Sequence, residues 1–168
     1  AIFGNGYNND PTGDGTSKIF IVYLDGSNLS NPILLETGAG TIANGDCTDP
    51  GSDCNGMSTP ATVDLNGDGT VDRIYAGDLQ GNMWAFDVTA SNTGSWAVAY
   101  KSGSTPKPLF TARNSSSEVQ PITTAPSVTT NPNLSTTNQN DPNLLVFFGT
   151  GKYLEASDVT GNLDVMSY

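Results

Sequence analysis

The sequence contains no histidine among its 168 residues. Histidine is the usual general base of enzymes, the partner that activates Ser and Cys nucleophiles, and a frequent zinc ligand. Those three kinds of site are therefore excluded. The sequence predicts a protein that is not an enzyme.

Basic residues are scarce as well. Six Lys and Arg stand against 17 Asp and Glu, which gives a net charge of −11. Nucleic acids and anionic lipid surfaces bind basic patches, so neither is an expected partner. No apolar run reaches the roughly 18 residues that a membrane span requires, so we expect no direct membrane insertion.

Cysteine occurs only twice, at Cys47 and Cys54. Two cysteines without histidine are too few for the four-ligand zinc sites that Cys and His build. The run between them contains Pro50 and Gly51, and a short turn of this kind makes ring closure sterically easy. We predict a disulfide here, with two free thiols as the alternative. A disulfide implies an oxidising compartment and would close a surface insertion at about residues 38–59.

Helix-forming patterns are also missing. Fourteen of the 17 acidic residues are Asp, which favours turns and caps, and the chain adds 19 Gly and 10 Pro. Short runs rich in β-branched and aromatic residues lie between these turn residues. This arrangement predicts an all-β fold with long loop insertions.

The clearest strand signals are apolar runs bounded by Gly, Asp or Asn. We predict a buried strand over Lys18–Leu24 with Ile33–Leu35 as its partner, and a central strand over Leu144–Phe148, the most apolar run. Residues 129–143 are predicted to be a solvated loop. Shorter extended segments are expected at Ile2–Tyr7, Trp96–Tyr100, Pro108–Ala112 and Gln120–Val128.

A strand, a tight turn and a returning strand are predicted over Arg73–Val88. The turn Gly77–Gly81 suits a hairpin with a bulge. In the returning strand Trp84, Phe86 and Val88 alternate with other residues, so one face is expected to be aromatic and apolar. Similar strand–glycine-turn–strand units recur at Ile2–Tyr7 and Phe147–Leu154. Their spacing of roughly 70 residues predicts blades of a β-propeller with large insertions.

The loop before this hairpin carries the strongest chemical signal. Residues 64–72 read D-x-N-x-D-G-x-x-D, which places oxygen ligands at the alternate positions used by the EF-hand calcium loop. The predicted ligands of one Ca²⁺ are Asp64, Asn66, Asp68, the Thr70 carbonyl and Asp72. Gly67 and Gly69 allow positive φ, so the chain can wrap around the ion.

The loop departs from the EF-hand at its twelfth position. A bidentate Glu is expected there, and the sequence has Tyr75, followed by strand rather than helix. We therefore predict an EF-hand-like loop between strands, completed by water or a distant group, within a calcium-binding blade at about residues 61–100. The alternative is an ordinary Asn/Asp/Gly turn without metal.

A second cation loop is conceivable around Asp10 and Asp14. Their spacing of four residues differs from the alternate spacing of a calcium loop, so a solvated turn is the preferred interpretation.

Five motifs, taken in order, resemble the C-terminal propeller of PilY-type proteins, the tip-associated biogenesis factors and adhesins of type IV pili. They are FGNGY (Phe3–Tyr7), VDLNGDGTVDRIYAGDLQGNMWAFDV (Val63–Val88), LFTA (Leu109–Ala112), QPITTAP (Gln120–Pro126) and FGTGKYLEASD (Phe148–Asp158). The resemblance covers nearly the whole chain and implies part of a modified β-propeller. It also implies a calcium site at the residues named above. The cysteine insertion lies outside these motifs.

The resemblance further implies a role in pilus assembly that opposes retraction, in twitching motility and in surface adhesion. The implied partners are minor pilins or other tip components, together with host or abiotic surface ligands. The implied location is the bacterial cell surface or pilus tip, extracellular or periplasmic. On this interpretation residues 1–168 are expected to be one partial propeller domain from a longer protein.

Two other protein classes share parts of the pattern. FG-GAP propellers also carry D-x-N-x-D-G-x-x-D between strands, which would make the chain a generic extracellular calcium-binding module. The unit GDLQGNMWAFDV resembles blade repeats of quinoprotein dehydrogenases, which are enzymes. Those enzymes need a full propeller around a quinone, and 168 residues are too few to close one.

Overall fold

The computed structural model describes residues 1–7, 14–133, 142–154 and 158. Within these ranges the chain is built from short strands, with a 3₁₀ turn at Thr93–Ser95. The all-β prediction is confirmed. The strands are β1 (Ile2–Gly4), β2 (Lys18–Ile21), β3 (Ile33–Glu36), β4 (Ala61–Val63), β5 (Arg73–Gly77), β6 (Asn82–Asp87), β7 (Ala97–Val98), β8 (Lys101–Ser102), β9 (Thr105–Pro106), β10 (Phe110–Thr111), β11 (Ser127–Thr130) and β12 (Leu144–Phe147).

The first sheet is antiparallel and has the order β1-β2-β3. Its centre is β2, which pairs Phe20 with Phe3 on one side and with Leu34 on the other. The predicted pairing of the strand that begins at Lys18 with the strand that begins at Ile33 is confirmed. The strand is shorter than predicted and ends at Ile21, because the chain soon turns at Tyr23–Gly26, where the Gly26 N–H donates to the Tyr23 carbonyl.

The second sheet forms the middle of the structure. Strands β4, β5 and β6 are consecutive and antiparallel, and both β10 and β7 pair with the outer edge of β6. The β5–β6 connection closes through Asp78 N–H donating to the Asn82 carbonyl and Gly81 N–H donating to the Asp78 carbonyl. Gly81 has a φ of 73°. This is the expected geometry of a three-residue hairpin loop that ends in a left-handed glycine.

Both faces of this middle sheet are buried, so the prediction of one apolar face was incomplete. On one face Trp84 and Phe86 pack with Ile19 and Leu35 of the first sheet. The opposite face carries residues of the second core cluster, which are Tyr75, Met83, Ala85, Ala112 and Ile122. Alternation assigns residues to two faces, but only the neighbouring layers decide whether a face is covered.

The third layer is the two-stranded sheet of β11 and β12. Val146 packs against the second core cluster, while Phe147 is 57% exposed on the other side. The prediction of a central strand over Leu144–Phe148 was therefore wrong within the described residues. The predicted loop 129–143 was also too long, since Thr129 and Thr130 pair with Leu145 and Leu144.

The predicted disulfide is present. Cys47 and Cys54 are joined, with their Cα atoms 5.6 Å apart, in a segment where Thr41 pairs with Asp53. The prediction that all of residues 38–59 lie at the surface was wrong, because Asn55, Met57 and Ser58 are almost fully buried. These residues lie between the first and second sheets. Contacts with residues distant in sequence bury them there, although their neighbours in sequence are mostly polar.

The Asp78 carboxylate links these parts and has no exposed surface. It accepts hydrogen bonds from Trp84 Nε1 at 2.7 Å, from Asn55 Nδ2 at 2.8 Å and from the Asn82 backbone N–H at 2.9 Å. Ser17 Oγ, in the residue immediately before β2, lies 3.4 Å away. A buried carboxylate costs free energy unless donors surround it, and this one is surrounded.

Replacing Asp78 should therefore destabilise the fold strongly. Asp78→Ala removes the acceptor of several buried donors, each of which costs about 1–3 kcal/mol when left unsatisfied. We expect a total loss of at least ~3 kcal/mol in the free energy of unfolding, measured by urea denaturation. Asp25→Ala, at an exposed turn, is the control and should change stability by less than about 0.5 kcal/mol. Equal stability of the two variants would contradict this role of Asp78.

Gly77 at the end of β5 is needed for a different reason. A Cβ atom there would lie 2.2 Å from Ile122 Cγ2 and 2.9 Å from the Ile122 carbonyl oxygen. Gly77→Ala should lower the unfolding free energy by roughly 1–3 kcal/mol, because the buried Ile122 segment must move. Gly149→Ala is the matched control, since a Cβ at Gly149 meets nothing within 4 Å. A thermal melt that leaves both variants like the parent chain would refute the close approach.

Candidate functional site

All five residues predicted to bind calcium lie in one loop, residues 64–72, which joins β4 to β5. The two glycines that the motif requires have left-handed backbone conformations, with φ of 76° at Gly67 and 87° at Gly69. Because only glycine adopts such angles without strain, the loop is wound as its sequence indicates. Its two ends are held by paired strands.

Asp64 organises the first half of the loop. Its two carboxylate oxygens accept hydrogen bonds from the backbone N–H groups of Gly67 at 2.7 Å and Gly69 at 2.8 Å. The chain therefore curls around this carboxylate. The first residue of the motif lies at the centre of the turn.

The middle of the loop is a chain of side-chain contacts. Asn66 Oδ1 accepts from the Asp68 N–H at 2.9 Å, and Asn66 Nδ2 donates to Asp68 Oδ2 at 2.9 Å. Asp68 also accepts from the Thr70 N–H at 2.8 Å and from the Thr70 hydroxyl. The hydrogen bond from the Thr70 side chain is the main cause that lowers the pKa of Asp68. The Thr70 backbone N–H and the Asn66 side chain lower it further. This carboxylate is therefore ionised at neutral pH.

Asp72 fastens the loop to the middle sheet. Its carboxylate accepts from the Leu65 N–H at 2.8 Å, and the side chain is buried, with 3% of the residue exposed. Its backbone N–H donates to the Val63 carbonyl, and its carbonyl accepts from the Val88 N–H. The next residue, Arg73, forms an ion pair with Asp87 at 2.6 Å. One end of the loop is thus held rigidly by three strands.

The donor set fits a hard divalent cation by its chemistry. It consists of carboxylate, amide and carbonyl oxygens, the ligand types that calcium prefers. The carboxylates, however, turn toward backbone N–H groups of the loop. Within the part of the chain that the structure describes, no group of three acidic or cysteine side chains has the arrangement of a metal site. Gathering them around an ion would require the exposed half of the loop to rearrange.

Tyr75, at the twelfth position of the motif, packs in the second core cluster. Burial raises the pKa of its hydroxyl to about 12, so it is neutral and supplies no charged ligand. The loop therefore lacks the bidentate carboxylate of an EF-hand.

The second candidate region is only partly described, since Asp10 lies outside the described residues. Asp14 is exposed, accepts from the Thr16 N–H at 3.0 Å and pairs with Lys18 Nζ at 2.8 Å. These contacts are those of a solvated turn.

Sequence reasoning did not anticipate a groove of about 330 Å³ that lies beside the loop. Val71 and Asp72 form its wall on the loop side, and Ile2, Ile21, Val88 and Trp96 complete it from the first and second sheets. A local signal was Val71, one of two apolar residues in a mostly polar loop. The rest of the lining comes together through sheet packing.

Comparison with known proteins gives consistent results. The family model described as the PilY1 beta-propeller domain matches residues 1–165. A Xylella fastidiosa protein named type IV pilus biogenesis factor PilY1 homolog is 37% identical over 160 residues, which is 94% of this chain and 10% of that protein. The Pseudomonas aeruginosa type IV pilus biogenesis factor PilY1 is 38% identical over 116 residues, which is 62% of this chain and 9% of that protein.

A solved structure agrees with these matches. The crystal structure of the Pseudomonas aeruginosa PilY1 C-terminal domain aligns with a TM-score of 0.67 at 30% identity, covering 94% of this chain and 30% of that one. The chain thus spans about a tenth of the length of the curated relatives. Those relatives are named for pilus biogenesis and not for a catalysed reaction. Among the described residues, no helix has the length and apolar character needed to cross a membrane.

The match over residues 1–165, the identity to curated relatives and the shared architecture lead to one conclusion: the chain belongs to the PilY1 beta-propeller domain family.

Proposed function

We propose that the chain is the calcium-binding propeller portion of a type IV pilus biogenesis protein. The observation that carries the proposal is the loop at residues 64–72, which combines the required oxygen donors, two left-handed glycines and rigid attachment through Asp72. Family membership supplies the biological setting. It favours pilus biogenesis over a generic FG-GAP module or a quinoprotein enzyme.

The proposed site consists of Asp64, Asn66, Asp68, the Thr70 carbonyl and Asp72, with water in the place of the missing twelfth ligand. Asp72 is held in place before the ion binds, while Asp64, Asn66 and Asp68 lie on the exposed side and move inward. The ion offsets the repulsion between three carboxylates in nine residues. The loop becomes more rigid on the same pair of strands, β4 and β5.

Calcium occupancy, on this proposal, supports pilus assembly by opposing retraction and thereby affects twitching motility and surface adhesion. The proposed partners are minor pilins or other tip components, with host or abiotic surfaces as adhesion ligands. The proposed location is the pilus tip or the cell surface. We assign the calcium-binding blade to residues 61–100, extended by β10, and the disulfide-closed insertion to residues 38–59 of a partial propeller, residues 1–168.

The chain should bind one Ca²⁺ with a dissociation constant of about 10⁻⁶ to 10⁻³ M, the range of sensors and extracellular modules. Mg²⁺ should compete poorly because it requires a smaller and more regular octahedron. Asp64→Ala and Asp68→Ala should each weaken binding at least about tenfold in calorimetry, by removing a charged oxygen ligand. Asp25→Ala removes an acid from another exposed turn and should leave the affinity unchanged.

Asp64 and Asp68 are better targets than Asp72, whose carboxylate also caps the buried end of the loop. The site would be contradicted if calorimetry detected no binding heat at millimolar calcium. It would also be contradicted if the Asp25 and Asp68 variants lost calcium affinity to the same extent.

The role in pilus function is tested separately in a piliated host. Asp68→Ala, introduced in the full-length protein, should change pilus number or twitching while protein abundance and stability stay the same. Its side chain is exposed, so loss of a ligand need not unfold the sheet. Asp25→Ala again serves as the control. If the Asp68 variant has lost calcium yet shows unaltered pili and motility, the link between this site and retraction is wrong.

A further inference from the structure

The Asn-Gly dipeptide occurs four times in the sequence, beginning at Asn5, Asn44, Asn55 and Asn66. Glycine has no Cβ to shield its backbone nitrogen, so this nitrogen can attack the side-chain amide of the preceding asparagine. The product is a cyclic succinimide, which water opens to aspartate or isoaspartate. Whether a given dipeptide reacts depends on how the fold holds the two groups, and the four sites differ in this respect.

Two of the four asparagines are held by hydrogen bonds to distant parts of the chain. Asn55 is 1% exposed, and its Nδ2 donates to the Asp78 carboxylate at 2.8 Å. Asn5 accepts from the Met57 N–H through Oδ1 at 2.9 Å and donates to the Thr16 carbonyl through Nδ2 at 2.9 Å. Ring closure would break these contacts, so both sites are protected.

Asn44 and Asn66 are exposed, but their side-chain oxygens have different surroundings. Asn44 is held through its nitrogen, which donates to Asp49 at 2.9 Å. Asn66 Nδ2 likewise donates to Asp68 at 2.9 Å, and in addition Asn66 Oδ1 accepts from the Asp68 N–H at 2.9 Å. A donor on this oxygen stabilises the negative charge that develops there when the amide is attacked. The structure therefore favours reaction at Asn66.

The same loop also positions the attacking group. The Gly67 N–H donates to Asp64 Oδ1 at 2.7 Å. The nitrogen must lose this proton in order to attack, and a carboxylate within hydrogen-bond distance is placed to accept it. A proton acceptor, a nucleophile and an oxyanion donor thus surround the Asn66 amide within residues 64–68.

We propose that Asn66 is a site of self-catalysed deamidation. The Gly67 nitrogen gives its proton to Asp64 and forms a bond to Asn66 Cγ. The Cγ–Nδ2 bond then breaks, and the amide nitrogen takes up that proton and leaves as ammonia. One water molecule adds to either carbonyl of the succinimide and opens it to aspartate or isoaspartate. The reaction needs no oxidant and no cofactor.

The products alter the third position of the candidate calcium loop. Aspartate adds a negative charge there, whereas isoaspartate adds a methylene group to the backbone between Asp64 and Asp68. The reaction itself does not depend on calcium. Its regulation by calcium rests on the proposed function, because Asp64 and Asn66 are among the proposed ligands. An ion bound to these oxygens would hold both groups away from the reaction and slow it.

Reaction rates at the four dipeptides test the proposal. The longest natural chain that contains residues 1–168 is incubated with EDTA at mildly alkaline pH. Samples taken over time are digested at acidic pH, and mass spectrometry measures the conversion of each amide to the acid. Asn44 is the matched control, because it is an exposed Asn-Gly site in the same molecule.

We expect Asn66 to react at least about fivefold faster than Asn44 in the folded protein, with Asn5 and Asn55 slower than either. In denaturant the four rates should come within about threefold of one another, because the local geometry is lost. An Asn66 rate at or below that of Asn44 in the folded protein would overturn the proposal. So would an Asn66 rate that rises on unfolding.

Asp64→Asn tests the role of the carboxylate with a side chain of nearly the same size. In EDTA it should slow the reaction at Asn66 at least about threefold and leave the Asn44 rate unchanged. An unchanged or faster reaction at Asn66 would overturn the assignment of Asp64 as proton acceptor.

A calcium titration of the parent protein separates this inference from the proposed function. Calcium should slow the reaction at Asn66 and not at Asn44. Fast reaction at Asn66 that calcium leaves unchanged would contradict the calcium site while supporting the deamidation.

Discussion

The buried carboxylate of Asp78 is the interaction on which the arrangement of the layers depends. It accepts hydrogen bonds from Trp84 in β6 and from Asn55 in the segment that precedes β4, with Ser17 of the first sheet close by. Because a buried acceptor must be satisfied, these donors are fixed relative to one another. The hairpin turn, the long insertion and the first sheet are thereby joined at one point. Burial of the two core clusters then supplies most of the stabilisation.

This rigid middle sheet explains where the candidate calcium loop lies. The loop joins β4 and β5, and Asp72 is tied to Val63 and Val88 on either side. The loop thus leads into β5, in which every residue is buried. The contacts of Asp64 and Asp68 lie within the loop itself, so this part of the loop is not tied to the core. The groove of about 330 Å³ lies beside the loop and is lined in part by Val71.

Family membership and the layered architecture agree on what kind of molecule this is. Three of the four sheets pack as layers in chain order, and the middle one contains the predicted strand–glycine-turn–strand unit Tyr75–Trp84. The units predicted at Ile2–Tyr7 and Phe147–Leu154 have one strand each within the described residues. The middle sheet has neighbours on both sides, whereas the first sheet leaves Phe3 and Leu34 half exposed. The chain aligns with less than a third of a solved PilY1 C-terminal domain.

The sequence by itself determined the features that depend on neighbouring residues. The all-β class, the β5–β6 hairpin with its left-handed Gly81, the closure of Cys47 with Cys54 and the winding of the loop at Gly67 and Gly69 are local consequences of turn chemistry and alternation. Motifs in a fixed order were enough to indicate the family. The candidate ligand positions in the loop were proposed from spacing alone, and spacing does not decide whether the carboxylates converge.

Only the tertiary structure decided which of these elements are buried. The run Leu144–Phe148 is the most apolar in the chain, yet Phe147 is exposed because β12 pairs with β11 in a two-stranded sheet. Asn55 and Ser58 have mostly polar neighbours in sequence. They are nevertheless buried, because they form hydrogen bonds with Asp78 and Gly77, which lie much further along the chain. Burial is a property of contacts between residues far apart in sequence. Local composition therefore predicts strands and turns, while the packing of layers determines which faces form the core and which remain available for binding.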